Sequence, residues 1–573
     1  MKKKRSILHL LKPYVGIIVL LIIFTVFSNA INLLIPKIIS KSIDAFSSGS
    51  FVYKPLIIQF SLAVTFIFIF SYIQSVIQTY ASEKVARDLR TKLADKISRQ
   101  SFAFIERVNP SKLLTNLTAD VDSIKLFISQ AIASIISSIF IIIGASILMI
   151  SINWKLALCV IAIIPIIGIT FFVVLRKVRA LFMQSRAVID WLNKVINESI
   201  LGAAIIRVVN SQQLEYNKFL EANTKAKDFG LKILYLFAGL IPVITFTANM
   251  AGLSILALGG HFVITGSMSL GNFAAFNSYV SMLIFPILII GFMSNVIAQA
   301  TASYERISTI IETPDPAESG NLSQDMNGEI ELQNVNMVYG QVPVLKDISF
   351  KVEAGSKVAV IGPTAAGKTQ LLYLLTGLMM PTSGSIKFDG HSIDDYNSES
   401  FHRQLGFVFQ DSIIFNMSIR ENIAFSDTVT DESLKKAIET AELGDFIDSL
   451  PGKLSTVVSE RGSSLSGGQK QRIMLARALA LDPKILLLDD FTARVDNNTE
   501  KKILENIQRN YPGLTLISIT QKIASVENYD QIILLMQGEL IAIGKHEALL
   551  STSPEYVQLL NSQKSTSNYE LQS

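Results

Sequence analysis

Half of the 573 residues are hydrophobic and the formal net charge is only +4, and the basic residues cluster beside apolar stretches, which argues for membrane orientation and against nucleic-acid binding. The single cysteine, Cys159, excludes an intramolecular disulfide and a cysteine metal cluster, and within its apolar stretch it reads as a small buried hydrophobe. The length fits two or three domains, and the apolar content is uneven: long blocks fill the first half, and a soluble α/β pattern follows.

The chain opens on Lys2-Lys3-Lys4-Arg5. No small-residue cleavage site follows the first apolar run, so this reads as a cytoplasmic anchor for a first helix rather than as a signal peptide. Crossing a bilayer takes about 20 apolar residues. Segments 15–36, 56–78, 127–150, 154–175, 233–259 and 273–298 meet that length, and six of them in one half of a chain outweigh the alternative of buried helices in a soluble core. The loops differ in charge. Segment 83–125 carries Lys84, Arg87, Arg90, Lys92, Lys96, Arg99, Arg107, Lys112 and Lys125, and segment 176–230 is similarly basic, whereas 261–272 has no lysine or arginine. This bias places both long segments and both termini in the cytoplasm.

Apolar residues recur at helical spacing around 83–99 and 179–210, which predicts that helices 2 to 5 continue well beyond the membrane. An extension of about 20 residues reaches roughly 30 Å. Turn-prone Asn109-Pro110-Ser111 and Asn210-Ser211-Gln212 separate descending from ascending arms, and short helices there are expected to press on a soluble domain. Charged residues are nearly absent from the spans, which speaks against an ion-driven carrier. Neutral amides such as Asn29, Asn32, Gln59, Gln74, Gln78, Asn249, Asn277 and Asn295 remain, with two uses open: lining a cavity or bonding between helices.

Thr313-Pro314-Asp315-Pro316 and the polar run after it read as a linker. The expected division is a six-span membrane domain over 1–312, a linker over 313–328 and a soluble domain over 329–573. The strand-like Lys357–Ile361 leads into Gly362-Pro363-Thr364-Ala365-Ala366-Gly367-Lys368-Thr369, the G-x-x-x-x-G-K-T phosphate loop, followed by Gln370. Between a strand and a helix this pattern is specific. Its backbone N–H groups face phosphates, Lys368 meets the β and γ oxygens, and Thr369 supplies a Mg²⁺ ligand. Further on, the apolar strand Ile485–Leu488 ends in Asp489, placed to hold Mg²⁺ directly or through water.

These motifs, in the order Gly362–Thr369, Gln410, Leu465-Ser466-Gly467-Gly468-Gln469 and Asp489, resemble the ATP-binding cassette (ABC) transporters, specifically half-transporters of the exporter type, over nearly the whole chain. The resemblance implies a six-helix exporter transmembrane domain fused to an α/β P-loop nucleotide-binding domain that binds ATP with Mg²⁺. It also implies that Tyr339 stacks on adenine, and that Gln410 senses Mg²⁺ and couples nucleotide state to the membrane arms. Ser466, Gly467, Gly468 and Gln469 reach a neighbour's ATP, and Ser459-Glu460-Arg461-Gly462 takes part in cross-talk with the arms. Thr118-Ala119-Asp120-Val121-Asp122 resembles the segment after the first coupling helix. Helices 4 and 5 of such proteins cross to embrace a second subunit, so dimerisation is obligatory.

Four departures from that pattern matter. Asp490 stands where a hydrolytically competent member has glutamate, and aspartate is one methylene short of a general base that must reach water within about 3 Å. Gln521 stands where histidine is expected; it can hydrogen-bond to phosphate but cannot take a positive charge. Ala365 replaces a customary glycine, which is expected to constrain the phosphate loop slightly unless the backbone there is right-handed. Thr492-Ala493-Arg494-Val495-Asp496 departs from Ser-Ala-Leu-Asp, and Arg494 reads equally well as partner of a carboxylate across the dimer or as a plain interface side chain. The weakened site beside an intact signature predicts one half of an asymmetric pair, similar to heterodimeric bacterial multidrug exporters with one degenerate site. The partner is then a second half-transporter with Glu and His in place, the cargo hydrophobic or amphipathic, the surroundings membrane lipid, and the location a bacterial plasma membrane. The alternatives are a homodimeric lipid or peptide exporter and, in a different class, an ATP-responsive membrane regulator or channel.

Overall fold

A computed structural model describes residues 7–316, 320–459 and 462–570; the basic start at Lys2–Arg5 lies outside the described residues. The chain forms two compact units, Met1–Arg99 with Val108–Asp315, and Gln100–Arg107 with Pro316–Ser573.

Among the described residues of the first unit, six helical rods are long and apolar enough to cross a membrane: Lys12–Ser47, Tyr53–Ser98, Pro110–Ile152, Trp154–Leu201, Gln212–Ile264 and Leu270–Ile311. The protein is therefore a multi-pass membrane protein. Each rod exceeds the roughly 20 residues a bilayer needs, and rods 2 to 5 are the longest, at 46, 43, 48 and 53 residues. Pro36, Pro242 and Pro286 sit inside helices; such prolines are tolerated where neighbouring helices satisfy the freed backbone groups. Near the first of these the buried Tyr279 hydroxyl donates to Leu33 O at 3.0 Å, tying the sixth rod to the first.

One buried polar cluster joins the third rod to the sixth. Asp120 is buried, with its carboxylate accepting from Ser303 Oγ at 2.9 Å, Asn116 Nδ2 at 2.7 Å and Arg306 Nε at 2.9 Å. Asn29 and Gln78 bond between helices, to Ser137 and to the Ser129 carbonyl. The reading of Cys159 needs correction: the residue is exposed. On the helix Trp154–Ile161 the buried residues are Leu156, Ala157 and Val160, and position 159 points away from that stripe.

The turn-prone segments behave as their sequences dictate. Asn109 adopts φ +74° and caps Pro110–Thr115 by accepting from Ser111 N at 3.0 Å; Asn210 adopts φ +53°. Asparagine is among the few residues that tolerate this left-handed backbone. Short helices flank both turns, Phe102–Val108 and Ala203–Val208. Within the second unit, the Phe102 ring stands edge-on to Tyr373 at 5.4 Å.

That unit is α/β. Its strands are β1 (Ile330–Tyr339), β2 (Val342–Val352), β3 (Lys357–Ile361), β4 (Ser383–Phe388), β5 (His391–Ser392), β6 (Leu405–Val408), β7 (Ile485–Asp489), β8 (Thr515–Ile519), β9 (Gln531–Met536) and β10 (Glu539–Gly544). An antiparallel sheet runs β2-β1-β4-β5, and a six-stranded sheet runs β10-β9-β3-β8-β7-β6. Strands β3, β7 and β8 are parallel and nearly wholly buried. Both faces of such a sheet are covered, so the strands read as unbroken apolar runs rather than alternating ones. Residues 320–328 pack on this unit: Leu322 pairs with Tyr396 and Met326 is buried.

Register decides where the chemistry gathers. Val360 lies opposite Ile519, and Asp489 lies opposite Ile519 on its other side. The carboxyl ends of β3, β8 and β7 are thus level, and the segments leaving them, 362–369, 520–523 and 490–496, emerge together. Ligands of open α/β sheets bind at such an edge.

Candidate nucleotide site

The phosphate loop takes its shape from three residues with positive φ. Gly362 adopts +152°, and a Cβ there would stand 2.1 Å from Leu535 O, so only glycine fits. Gly367, at +93°, precedes the helix Lys368–Leu375. The third is Ala365, at +66°. The backbone is therefore not the right-handed one that would relieve the constraint: the loop keeps the left-handed turn that glycine would take, and alanine bears its Cβ strain, about 1 kcal/mol. Replacing Ala365 by glycine is accordingly expected to stabilise the protein slightly, by about 0.5 kcal/mol after the greater freedom of the unfolded chain is subtracted. Thermal unfolding of the two proteins side by side checks this, and a lower melting point in the glycine variant contradicts it.

Lys368 is 8% exposed. Its ammonium curls back onto the loop and donates to Gly362 O and Pro363 O, both at 2.8 Å. Burial lowers its pKa, opposed by the negative charges of Asp490 and Asp489. Asp489, at the end of β7, is 2% exposed. Burial raises its pKa, opposed by a hydrogen bond from the Thr369 hydroxyl, while Asp490 adds to the rise. Asp490 is half-buried, holds φ +47° and donates its N–H to Ile519 O at 3.0 Å. Burial raises its pKa as well, against the nearby Lys368 and Lys522.

Lys368, Thr369, Asp489 and Asp490 therefore form one electrostatic cluster. Gln521, just past β8, has an exposed side chain, while its carbonyl is engaged by Gln563 at 2.6 Å. The remaining expected residues sit on other elements of the same unit. Tyr339 ends β1 and is half exposed. Gln410 lies exposed just after β6. Pro363 and Thr364 are exposed in the loop, Ala366 is buried, and Gln370 is half-buried on the first turn of its helix.

The signature segment starts a 13-residue helix, Gly467–Leu479. Ser466 caps it: Ser466 Oγ accepts from Gln469 N at 3.3 Å, and Gln469 Oε1 accepts from Ser466 N at 2.8 Å. This reciprocal box fixes the first turn and leaves Gly467 and Gly468 without side chains. Arg494 packs its stem over that turn, with Cδ 3.1 Å from where a Cβ on Gly467 would stand. Of the cross-talk segment, Glu460 and Arg461 lie outside the described residues.

The donor set suits Mg²⁺. Thr369 offers a hydroxyl and Asp489 a carboxylate that already accepts from it, all hard oxygens of the kind this ion prefers beside phosphate oxygens.

Sequence reasoning missed Arg477. Its guanidinium donates to Asn422 O at 2.6 Å, Ile413 O at 3.0 Å and Asn422 Oδ1 at 3.0 Å, and lies 5.6 Å from the Phe415 ring and 5.1 Å from the Phe425 ring. Burial lowers its pKa to about 10, so it stays charged at neutral pH. It pins the segment after Gln410 to the signature helix. Lysine reproduces neither the fork nor the stacking, and Arg477→Lys is expected to cost about 2–3 kcal/mol. Thermal unfolding measures that cost; an unchanged melting point contradicts it.

Comparison with known proteins places this geometry. The family model described as "ABC transporter transmembrane region" matches residues 18–287, and that described as "ABC transporter" matches residues 345–493. An ABC transporter ATP-binding protein of Bacillus subtilis, YfiB, is 32% identical over 97% of this chain and 98% of its own. An ATP-dependent lipid A-core flippase of Syntrophus aciditrophicus is 31% identical over 85% of this chain and 82% of its own. A multidrug resistance ABC transporter ATP-binding and permease protein of Lactococcus lactis is 27% identical over 98% and 96%. The fold is similar to that of a bacterial Atm1-family ABC exporter solved with ATP bound, with a TM-score of 0.79, 24% identity, and 96% and 98% of the two chains covered. Six membrane-length helices in one unit and a phosphate loop, signature helix and strand-end carboxylate in the other are the two halves those matches describe. The chain belongs to the ABC transporter family, as an exporter-type half-transporter whose ATP-binding domain makes it an ATP-driven translocase.

Proposed function

We propose that this chain is the degenerate-site subunit of a heterodimeric exporter of hydrophobic or amphipathic compounds. One observation carries the reading. Asp490 and Gln521 replace the expected base and switch residue at the level strand ends, while the Ser466–Gln469 capping box is formed. In this account residues 1–312 form the membrane domain, 313–328 the linker and 329–573 the nucleotide domain.

ATP binds to this chain through the phosphate loop, with Tyr339 against adenine and Gly362–Gln370 around the phosphates. Lys368 is the charged donor to the β and γ oxygens. When bound, Mg²⁺ neutralises phosphate charge; Thr369, Asp489 and Gln410 are the residues to hold it. Asp490 is short by one methylene, and a misplacement near 1 Å costs on the order of 10²-fold. Gln521 offers the terminal phosphate a neutral hydrogen bond where histidine brings charge. This site therefore holds ATP and turns it over slowly. Ser466, Gly467, Gly468 and Gln469 complete the partner's site, where hydrolysis resets the pair after ATP binding has opened the shared cavity outward.

The nearly uncharged spans suit apolar or amphipathic cargo, and the names of the relatives, multidrug transporters and lipid A-core flippases, point to drugs or lipids. The bacterial relatives and the basic cytoplasmic arms favour a bacterial plasma membrane with the nucleotide domain inside. Inside-out vesicles containing the native complex test this reading. ATP-dependent accumulation of a fluorescent amphipathic drug supports export, lipid movement between leaflets supports the flippase class, and nucleotide-gated conductance without accumulation overturns both.

A further inference from the structure

The last helix, Pro554–Glu570, docks on the soluble unit by one face. Tyr556 and Leu560 are buried in the same apolar core as Ile523 and Val526, and the Tyr556 hydroxyl meets His546 Nδ1 at 2.6 Å. Positions 556, 560 and 563 share one side of a helix. A residue continuing that stripe into the core would be apolar; Gln563 stands there instead. Its side-chain carbonyl accepts from Ile523 N at 3.0 Å, and its amide donates to Gln521 O at 2.6 Å.

Both bonds fall on backbone, on either side of Lys522. The same segment is held from within, because Lys522 N donates to Thr520 Oγ1 at 3.0 Å and Thr520 N to Val360 O at 3.3 Å. On its far end Ser525 bonds the carboxylate of Glu500, a residue 4% exposed. The backbone leaving β8 is thus fixed, whereas the Gln521 side chain itself is free to reach solvent or ligand.

We propose that Gln563 is a positioning residue for the nucleotide site, clamping Gln521–Ile523 so that the Gln521 amide faces the terminal phosphate of ATP held by this chain. The inference rests on the reading that Gln521 meets that phosphate. A switch residue on a loose loop would lose backbone freedom each time it engaged ATP; the clamp removes most of that cost beforehand, as preorganisation does in binding generally. ADP lacks the γ-phosphate, so its affinity comes from the phosphate loop and is indifferent to the clamp. The carboxy-terminal helix therefore sets how strongly this site prefers ATP over ADP.

The test uses the full-length chain in its native membrane complex, photolabelled with azido-ATP, reading the label on this chain against competing ATP and ADP. Gln563→Leu keeps the shape and removes both hydrogen bonds. It is expected to weaken competition by ATP about fivefold while leaving that by ADP unchanged. Leu560→Ala serves as the comparison, since it loosens the same helix by packing alone. A purely structural role predicts that both variants lower thermal stability and move ATP and ADP together. Faster amide exchange at Ile523 in Gln563→Leu, with the narrowed ATP preference, supports the clamp. An ATP preference unchanged in Gln563→Leu, or lost equally for both nucleotides, overturns this proposal alone. A wild-type chain with no preference for ATP overturns it together with the assignment of Gln521.

Discussion

Replacing Asp490 by glutamate and Gln521 by histidine together is expected to raise ATP hydrolysis in this chain's own site by about 10- to 100-fold. The lower bound has a structural cause. Asp490 sits in left-handed backbone at φ +47°, a conformation that aspartate tolerates better than glutamate, so part of the gain in reach is lost to strain of about 1 kcal/mol. The upper bound is what restoring about 1 Å of reach supplies to a general base. Histidine at 521 adds a group that can carry positive charge toward developing charge on phosphate, and the clamp from Gln563 is a backbone contact that the substitution leaves in place. Phosphate release from nucleotide bound to this chain, measured with the other site silenced, gives the answer. An unchanged rate means that neither residue limits turnover.

The second large effect concerns holding ATP rather than cleaving it. Lys368→Met is expected to weaken ATP binding by this chain on the order of 10²-fold, the worth of one charged donor to phosphate in a buried setting. The ammonium now satisfies Gly362 O and Pro363 O, so the variant also loosens the loop. Gly362→Ala is the harsher control, because its Cβ would meet Leu535 O at 2.1 Å. Photolabelling of this chain should fall steeply in Lys368→Met while, in the proposed asymmetric pair, labelling of a second subunit stays near wild type. Equal loss in both chains indicates that the two sites are not independent.

Much of this was legible in the sequence because the informative patterns are local. Six apolar spans, the strand Lys357–Ile361 before Gly362 and the strand Ile485–Leu488 before Asp489 each declare themselves within a few residues. The signature Leu465–Gln469 is equally local, whereas the capping box that shapes its first turn emerged only in the structure. Long-range partners were not legible. Arg477 meets Ile413 and Asn422 across a fold that brings distant segments together, and Gln563 is an ordinary exposed-helix glutamine until the turn after β8 is packed against it. Cys159 misled because apolar neighbours in sequence do not say which side of a helix faces its neighbours. The constraint at Ala365 was legible but the backbone that produces it was not: residue type sets the cost of a left-handed turn, and the surrounding loop decides whether the turn is made.

The central claim is the asymmetric pair, and the composition of the native complex tests it most directly. The chain, tagged and isolated gently from its own membrane, is weighed intact and its subunits are sequenced. The account predicts one copy of this chain with one second half-transporter that bears glutamate and histidine at the positions equivalent to Asp490 and Gln521. A complex of two copies of this chain alone contradicts it.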